Sequence, residues 1–136
     1  MKKLIFLAAF LVLSGAMFGQ TLEKGNLIGT HVFSVNLDPD VTMNQFLDAY
    51  KTKVLPEYEK NFEAKCYLVK SIRGVCENCY GVIIIFKSQA VRDKYWKEDG
   101  SLTDLGQAGF EKMQPVNAEM QKFGEFTSKY TDWLVQ

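Results

Sequence analysis

Cys76-Glu77-Asn78-Cys79 is the most conspicuous chemical motif in the chain. A C-x-x-C pair does redox chemistry when its first thiolate is stabilised, usually at a helix N-terminus. Here Tyr80-Gly81-Val82-Ile83 follows, which has strand character, so that dipole is missing. A zinc site needs four ligands and the chain has no second pair of this kind, and covalent haem attachment needs a histidine where Tyr80 stands. The expected role is structural: a Cys76–Cys79 disulfide tying a loop, or a pair of inert thiols, with a thiol-redox role as the less favoured alternative. Cys66 is the odd thiol and is expected to be a buried small hydrophobe. No metal site and no cofactor is expected.

His31 is the single histidine. It could serve as a general base or as a ligand to haem or metal. Its strand phase decides: facing the helices it is expected to be a hydrogen-bonded core residue, whereas lining a barrel it becomes the best catalytic candidate. Tyr67, Tyr80, Tyr130 and Trp133 fall in strands, and of these Tyr67, Tyr80 and Trp133 are the candidate ligand-binding residues, walls for a flat apolar molecule. Core or interface packing is their ordinary alternative. Asp38 and Asp40 flank Pro39 and are explained by turn chemistry. Residues 96–109 hold Gly100, Gly106 and Gly109 and read as a solvated loop, with a flap over a cavity mouth as the alternative. There is no G-x-G-x-x-G, no Walker pattern and no nucleophile elbow.

The elements that must hold these residues are legible in the periodicity. Residues 28–37 alternate, with His31, Phe33, Val35 and Leu37 on one face and Thr30, Val32, Ser34 and Asn36 on the other. Residues 42–62 have a helical apolar stripe, opened by a capping-box pair, Thr42 and Gln45, and interrupted at Pro56, where a kink or split is expected. Strands follow at 65–74 and 80–87, joined as a hairpin by the loop 75–79. Val82-Ile83-Ile84-Ile85-Phe86 is apolar at consecutive positions, so both faces of that strand must be buried. Ser88 and Thr103 can cap two further helical pieces, with Pro115 dividing the second from a stripe that continues through Val116 and Met120. Gly124 suits the stop, and residues 127–135 form the last strand.

The order β-α-β-β-α-β predicts an α+β, ferredoxin-like domain: a four-stranded antiparallel sheet, first and third strands central, helices on one face. Helices then leave the other face bare, with Val32, Val69 and Trp133 among its residues. Such a patch favours a second copy stacked sheet to sheet, so a homodimer is expected.

Three segments carry a family resemblance: Phe33-Ser34-Val35; Leu55-Pro56-Glu57-Tyr58; and Gly81-Val82-Ile83-Ile84-Ile85-Phe86-Lys87-Ser88 leading to Val91-Arg92-Asp93-Lys94-Tyr95-Trp96. In these the chain resembles the dimeric α+β barrel superfamily, which includes antibiotic-biosynthesis-monooxygenase-like and NIPSNAP-like domains. The resemblance implies a dimeric barrel. It implies no single activity, because members range from monooxygenases and haem-degrading enzymes to isomerases, and no catalytic motif of theirs is present to transfer.

The ends and the bulk properties complete the reading. Lys2 and Lys3, the apolar run from Leu4 to Leu13 and the small residues before Gln20 read as a signal peptide over residues 1–19, shorter than the ~20 residues a membrane span needs. Residues 20–27 are a lead-in and 28–136 the domain, in the periplasm or secreted. The formal net charge is zero, and −2 once Lys2 and Lys3 are removed, with no basic cluster, so neither nucleic acid nor a membrane surface is an expected partner. The expected function is binding of a small apolar or aromatic ligand or of a protein partner. The alternative is a monooxygenase-like or haem-linked oxidoreductase using the dimer cavity.

Overall fold

The computed structural model describes residues 21–136; the signal peptide expected over 1–19 lies outside the described residues. The elements run β1 (Leu27–Leu37), α1 (Met43–Ala49), a π-helical turn (Tyr50–Val54), α2 (Leu55–Phe62), β2 (Ala64–Lys70), β3 (Tyr80–Phe86), α3 (Gln89–Arg92), α4 (Asp104–Met120), a 3₁₀ turn (Gln121–Phe123) and β4 (Gly124–Leu134). The sheet is antiparallel in the order β2-β3-β1-β4, so the first and third strands are central and the arrangement is ferredoxin-like, as expected.

Helix starts follow their caps. Thr42 Oγ1 accepts from the Gln45 N–H at 3.3 Å while Gln45 Oε1 accepts from the Thr42 N–H at 2.8 Å, which satisfies two orphan donors at once. Ser88 and Thr103 accept from Val91 and Gly106 N–H groups in the same way. Pro56 does not end the first helical run. The ladder widens ahead of it, with the Leu55 N–H donating to the Tyr50 carbonyl, and Pro56 falls in the first turn of α2 where a missing N–H costs little. The extra residue in that turn brings two consecutive side chains, Val54 and Leu55, to the buried side. Pro115 likewise does not divide the second helix, which is continuous through it. Glu111, whose carbonyl Pro115 cannot satisfy, and Pro115 itself both lie on the exposed face, where water can take the freed acceptor.

The hairpin loop is longer than expected. β2 ends at Lys70, and Ser71 to Cys79 form the connection, closed by the Ser71 N–H on the Cys79 carbonyl and the Asn78 N–H on the Ser71 carbonyl. β4 begins at Gly124, three residues earlier than read, directly from the 3₁₀ turn.

Registration settles the two faces. Leu27, Gly29, His31 and Phe33 of β1 point to the helices with Val82, Ile84 and Phe86 of β3, and the core forms there with Phe46, Phe62, Met113 and Met120. The opposite face carries Ile28, Val32, Tyr67, Val69, Ile83, Ile85 and Trp133, with Val32 44% and Trp133 59% exposed, and among the described residues no helix covers it. The last helix is tied to the first helical run by the ion pair between Lys53 and Glu119. No described helix is long and apolar enough to cross a membrane.

Candidate functional site

Between the helices and their face of the sheet the packing leaves a cavity of about 350 Å³. Such a volume is at the small end of ligand pockets. Its deep walls are aromatic and aliphatic: Phe33, Phe86 and Phe126 from the sheet, Tyr50, Val54, Leu55 and Tyr58 from the widened helical turn and α2, and Trp96, Phe110 and Met113 beyond. The wall rings are packed on one another, Phe33 tilted on Tyr50 at 4.9 Å, Trp96 edge-on to Phe110 at 6.3 Å and Tyr58 stacked on Trp96 at 6.5 Å between centroids. Burial holds the phenols of Tyr50 and Tyr58 well above the usual tyrosine range, so both stay protonated and can donate.

One end of the cavity is polar. β1 and β4 pair His31 with Tyr130 and Gly29 with Asp132, which sets these side chains side by side on the helix face. The His31 ring stacks on Tyr130, with centroids 5.6 Å apart and planes 22° from parallel, and its Nδ1 lies 3.4 Å from Ser128 Oγ. Burial lowers the His31 pKa, partly offset by the carboxylate of Asp132, so the imidazole is neutral at pH 7. Arg92, the last residue of α3, reaches across so that its Nη1 is 3.6 Å from Asp132 Oδ2. Its Nε is 2.9 Å from Asp93 Oδ1, but the N–H is not aligned on it and is left buried without a hydrogen-bond acceptor. The polar end therefore offers a neutral imidazole, a carboxylate paired with a guanidinium, a serine hydroxyl and a phenol, all against an aromatic interior.

His31 does face the helices, yet it is not the plain core residue that orientation was expected to imply. The cavity lies on that same side, between sheet and helices, and not at the bare face where a dimer cavity was expected. Tyr67, Tyr80 and Trp133 are not brought to it. Tyr67 and Trp133 have the phase of the open face, where Trp133 Nε1 donates to Thr30 Oγ1 at 3.2 Å, and Tyr80 packs at the margin of the core under the Lys70 ammonium. Of the four strand aromatics weighed from the sequence, Tyr67, Tyr80, Tyr130 and Trp133, Tyr130 is the one that borders the cavity. Residues 96–109 are not one loop: α4 begins at Asp104, Gly106 and Gly109 are buried within it, and only Trp96 and Gly100 of this stretch reach the cavity.

Cys76 and Cys79 are joined as a disulfide with Cα atoms 5.6 Å apart, in an exposed loop with no helix after it. Cys66 is half-buried at the cavity wall, and burial, reinforced by the Glu59 carboxylate, pushes its thiol up to about 12, so it is protonated and unreactive at neutral pH. Among the described residues no three His, Cys, Asp or Glu side chains are grouped to hold a metal ion. The side-chain atoms nearest to Gly29 are Asp132 Oδ1 and His31 Nε2, 3.3 and 3.5 Å from where a Cβ would stand.

Arg92, Asp132, Ser128 and Gly29 were missed by sequence reasoning. The usable signals were a glycine in the middle of an alternating strand, which marks a close approach, and an aspartate sharing the phase of Tyr130 in the last strand.

No family model matches the chain, and no curated protein does. Among solved structures the chain is similar to SnoaB, a cofactor-independent oxygenase from Streptomyces nogalater. The likeness to a SnoaB mutant has 10% identity and a TM-score of 0.48, and that to SnoaB itself 9% and 0.47; each covers 82% of this chain and 94% of the other.

Proposed function

We propose that this is an exported, dimeric binding protein that takes a small, flat, apolar or aromatic molecule into the cavity between sheet and helices. The observation that carries the reading is the cavity itself: ring-lined walls bordered at one end by His31, Arg92, Ser128 and Asp132. Apolar walls supply affinity in proportion to the area buried, about 25 cal/mol per Å², while a few polar groups orient the guest. Dimerisation is supported by the open sheet face, where Val32, Val69, Ile83, Ile85 and Trp133 form an apolar surface that a second copy would remove from water. Export is supported by the basic, apolar and small-residue leader over 1–19, and a Cys76–Cys79 disulfide suits an oxidising compartment. Native mass spectrometry of protein purified from the periplasm tests all three parts. The expected spectrum has the mass of two mature chains plus a small molecule lost on denaturation. A monomer that carries nothing, even after incubation with aromatic compounds, contradicts the reading.

A second, catalytic reading is favoured by the neutral imidazole at the polar end. As a monooxygenase-like oxidoreductase, the protein would hold an aromatic substrate while His31 takes up a proton from a ring CH2 carbon; molecular oxygen is the oxidant, one atom becoming the carbonyl on that carbon and the other leaving as water with the substrate's two hydrogens. Oxygen consumption with hydroxylated aromatics, lost in His31→Ala, is the expected result; no consumption by the wild type rules this reading out.

A further inference from the structure

We infer that residues 97–101 form a gate over the polar end of the cavity, shutting against Tyr130 on β4 and swinging away to let the guest pass. This rests on the cavity being a binding site. The exposure of the lining residues locates the mouth. The deep walls, Phe33, Leu55, Ile84 and Phe86 among them, are buried. Four lining residues are exposed: Gly100 on the connection between α3 and α4, and Ser128, Tyr130 and Asp132 at alternate positions of β4. The cavity therefore meets solvent between that connection and the edge strand.

The connection is fixed at its root and free beyond it. Tyr95 is 4% exposed, and its hydroxyl donates to Glu63 Oε1 at 2.8 Å. Trp96 pairs with Leu102 as a short antiparallel bridge, and the Thr103 N–H donates to the Tyr95 carbonyl at 3.0 Å. Past that bridge the bonding turns inward. The Lys97 N–H donates to the Ser101 carbonyl at 2.8 Å and the Gly100 N–H to the Lys97 carbonyl at 3.0 Å. Asp99 Oδ1 accepts from both the N–H and the hydroxyl of Ser101, at 2.9 and 2.6 Å. Among the described residues the hydrogen bonds of this turn all stay within it, and all five of its residues are exposed. A segment bonded to itself, with little apolar surface buried, opens at small cost because opening breaks none of its own bonds.

Tyr130 is the post on which the gate shuts. Its ring stacks on His31, and its hydroxyl lies 3.7 Å from where a Cβ on Gly100 would stand. One side chain thus spans from the tip of the turn to the polar groups behind it. Gly100, at φ +82°, brings bare main chain to the mouth in a conformation that suits glycine. Beside the gate Arg92 and Asp132 reach across from α3 to β4, but 3.6 Å between Nη1 and Oδ2 is longer than the roughly 2.7–2.9 Å of a charge-assisted hydrogen bond, so this side of the mouth is not sealed either. A turn that covers such a mouth keeps water from the polar end until a guest arrives.

Temperature-jump relaxation of tryptophan emission in Trp133→Phe, with 1-naphthol as the probe, tests this, since Trp96 stands at the root of the turn and lines the cavity. With a gate, opening precedes binding, so the relaxation rate is expected to level off as the probe concentration rises, on the microsecond-to-millisecond scale of lid motions. Asp99 does not line the cavity, and Asp99→Ala removes the brace inside the turn. That change should raise the plateau at least about threefold while the dissociation constant moves by less than about twofold, because it lowers a barrier and touches no contact with the guest. A rate that climbs linearly over the whole range overturns the gate and leaves binding intact, as does a plateau unaltered by Asp99→Ala. If Trp96 emission gives no saturable response at all, 1-naphthol does not enter the cavity, and the binding reading fails together with the gate.

Discussion

The two faces of β1 differ in which residues are out of place. On the face turned to the helices the surroundings are apolar along β1, and the residues out of place there are His31, which is half-buried, and Gly29, buried with no side chain at all; Ser128 and Asp132 lie opposite them on the exposed edge strand β4. On the open face the surroundings are water, and the misplaced residues are apolar: Val32 and, on neighbouring strands, Tyr67, Ile83, Ile85 and Trp133. A polar group under helices costs desolvation and an apolar group in water costs hydration. Neither helps an isolated domain fold, and the two proposals rest on this: a small molecule on the inside and another subunit on the outside. On that proposal one alternating strand serves a site and an interface, and the chemistry of each is the reverse of the other.

Substitutions on each face can break this contrast. The largest effect is expected under the helices and away from the polar end, where packing alone is at stake. Phe46 is 1% exposed and meets Phe33, Phe123 and Phe126 edge-on and Tyr50 at a tilt. Phe46→Ala should cost about 3–5 kcal/mol in urea unfolding, the usual range for truncating a buried ring. Next comes the open face. Val32→Glu puts a carboxylate into the proposed subunit contact twice over by symmetry and should weaken the dimer about a hundredfold in sedimentation equilibrium, with the monomer still folded. If Val32→Glu instead unfolds the chain, the open face belongs to the core and the contrast fails.

The disulfide belongs to neither face. Replacing Cys76 and Cys79 by serine opens a loop of sequence separation 3, which is worth no more than about 2 kcal/mol by loop-closure entropy, and should leave ligand affinity unaltered. Loss of binding in that variant would point back to the thiol-redox alternative. The smallest effect concerns His31. Its pKa is lower in the folded chain than the ordinary 6.5, so the unfolded chain binds the proton first as pH falls. Stability is then complete above pH 6.5 and declines below it as His31 is forced to charge, and His31→Gln should remove that part of the pH dependence in chemical unfolding. An unchanged acid limb in His31→Gln would show that the imidazole is not held neutral by its place in the cavity.

Much of the fold is written in local patterns. Thr42, Ser88 and Thr103 mark helix starts because a side-chain acceptor three residues ahead of an N–H is a short-range event. The apolar run Val82–Phe86 marks a central strand, paired on both edges with β1 and β2, although the expectation that both of its faces are buried fails: Val82, Ile84 and Phe86 are buried, while Ile83 and Ile85 are only partly so on the uncovered face. The site is less legible because it is long-range. Gly29 meets Asp132, and His31 meets Tyr130, only through the register of β1 with β4, about a hundred positions apart in the chain. Arg92 reaches Asp132 from a helix of four residues, too short to carry a periodic signal. Alternation told that His31 shares a face with Phe33 without telling that this face encloses a cavity. That depends on how far the widened turn at Tyr50–Val54 and the aromatic rings hold the helices from the sheet.

The claim on which the rest depends is that this cavity, and not the open face, receives an aromatic guest. The chain's two tryptophans separate the possibilities, since Trp96 lines the cavity and Trp133 lies on the opposite face of the sheet. Titration of 1-naphthol into Trp133→Phe, with Trp96 as sole fluorophore, should give a saturable change in tryptophan emission; Trp96→Phe, which keeps only Trp133, should give none. A saturable response from Trp133 with Trp96 silent would place the guest on the open face and contradict the account.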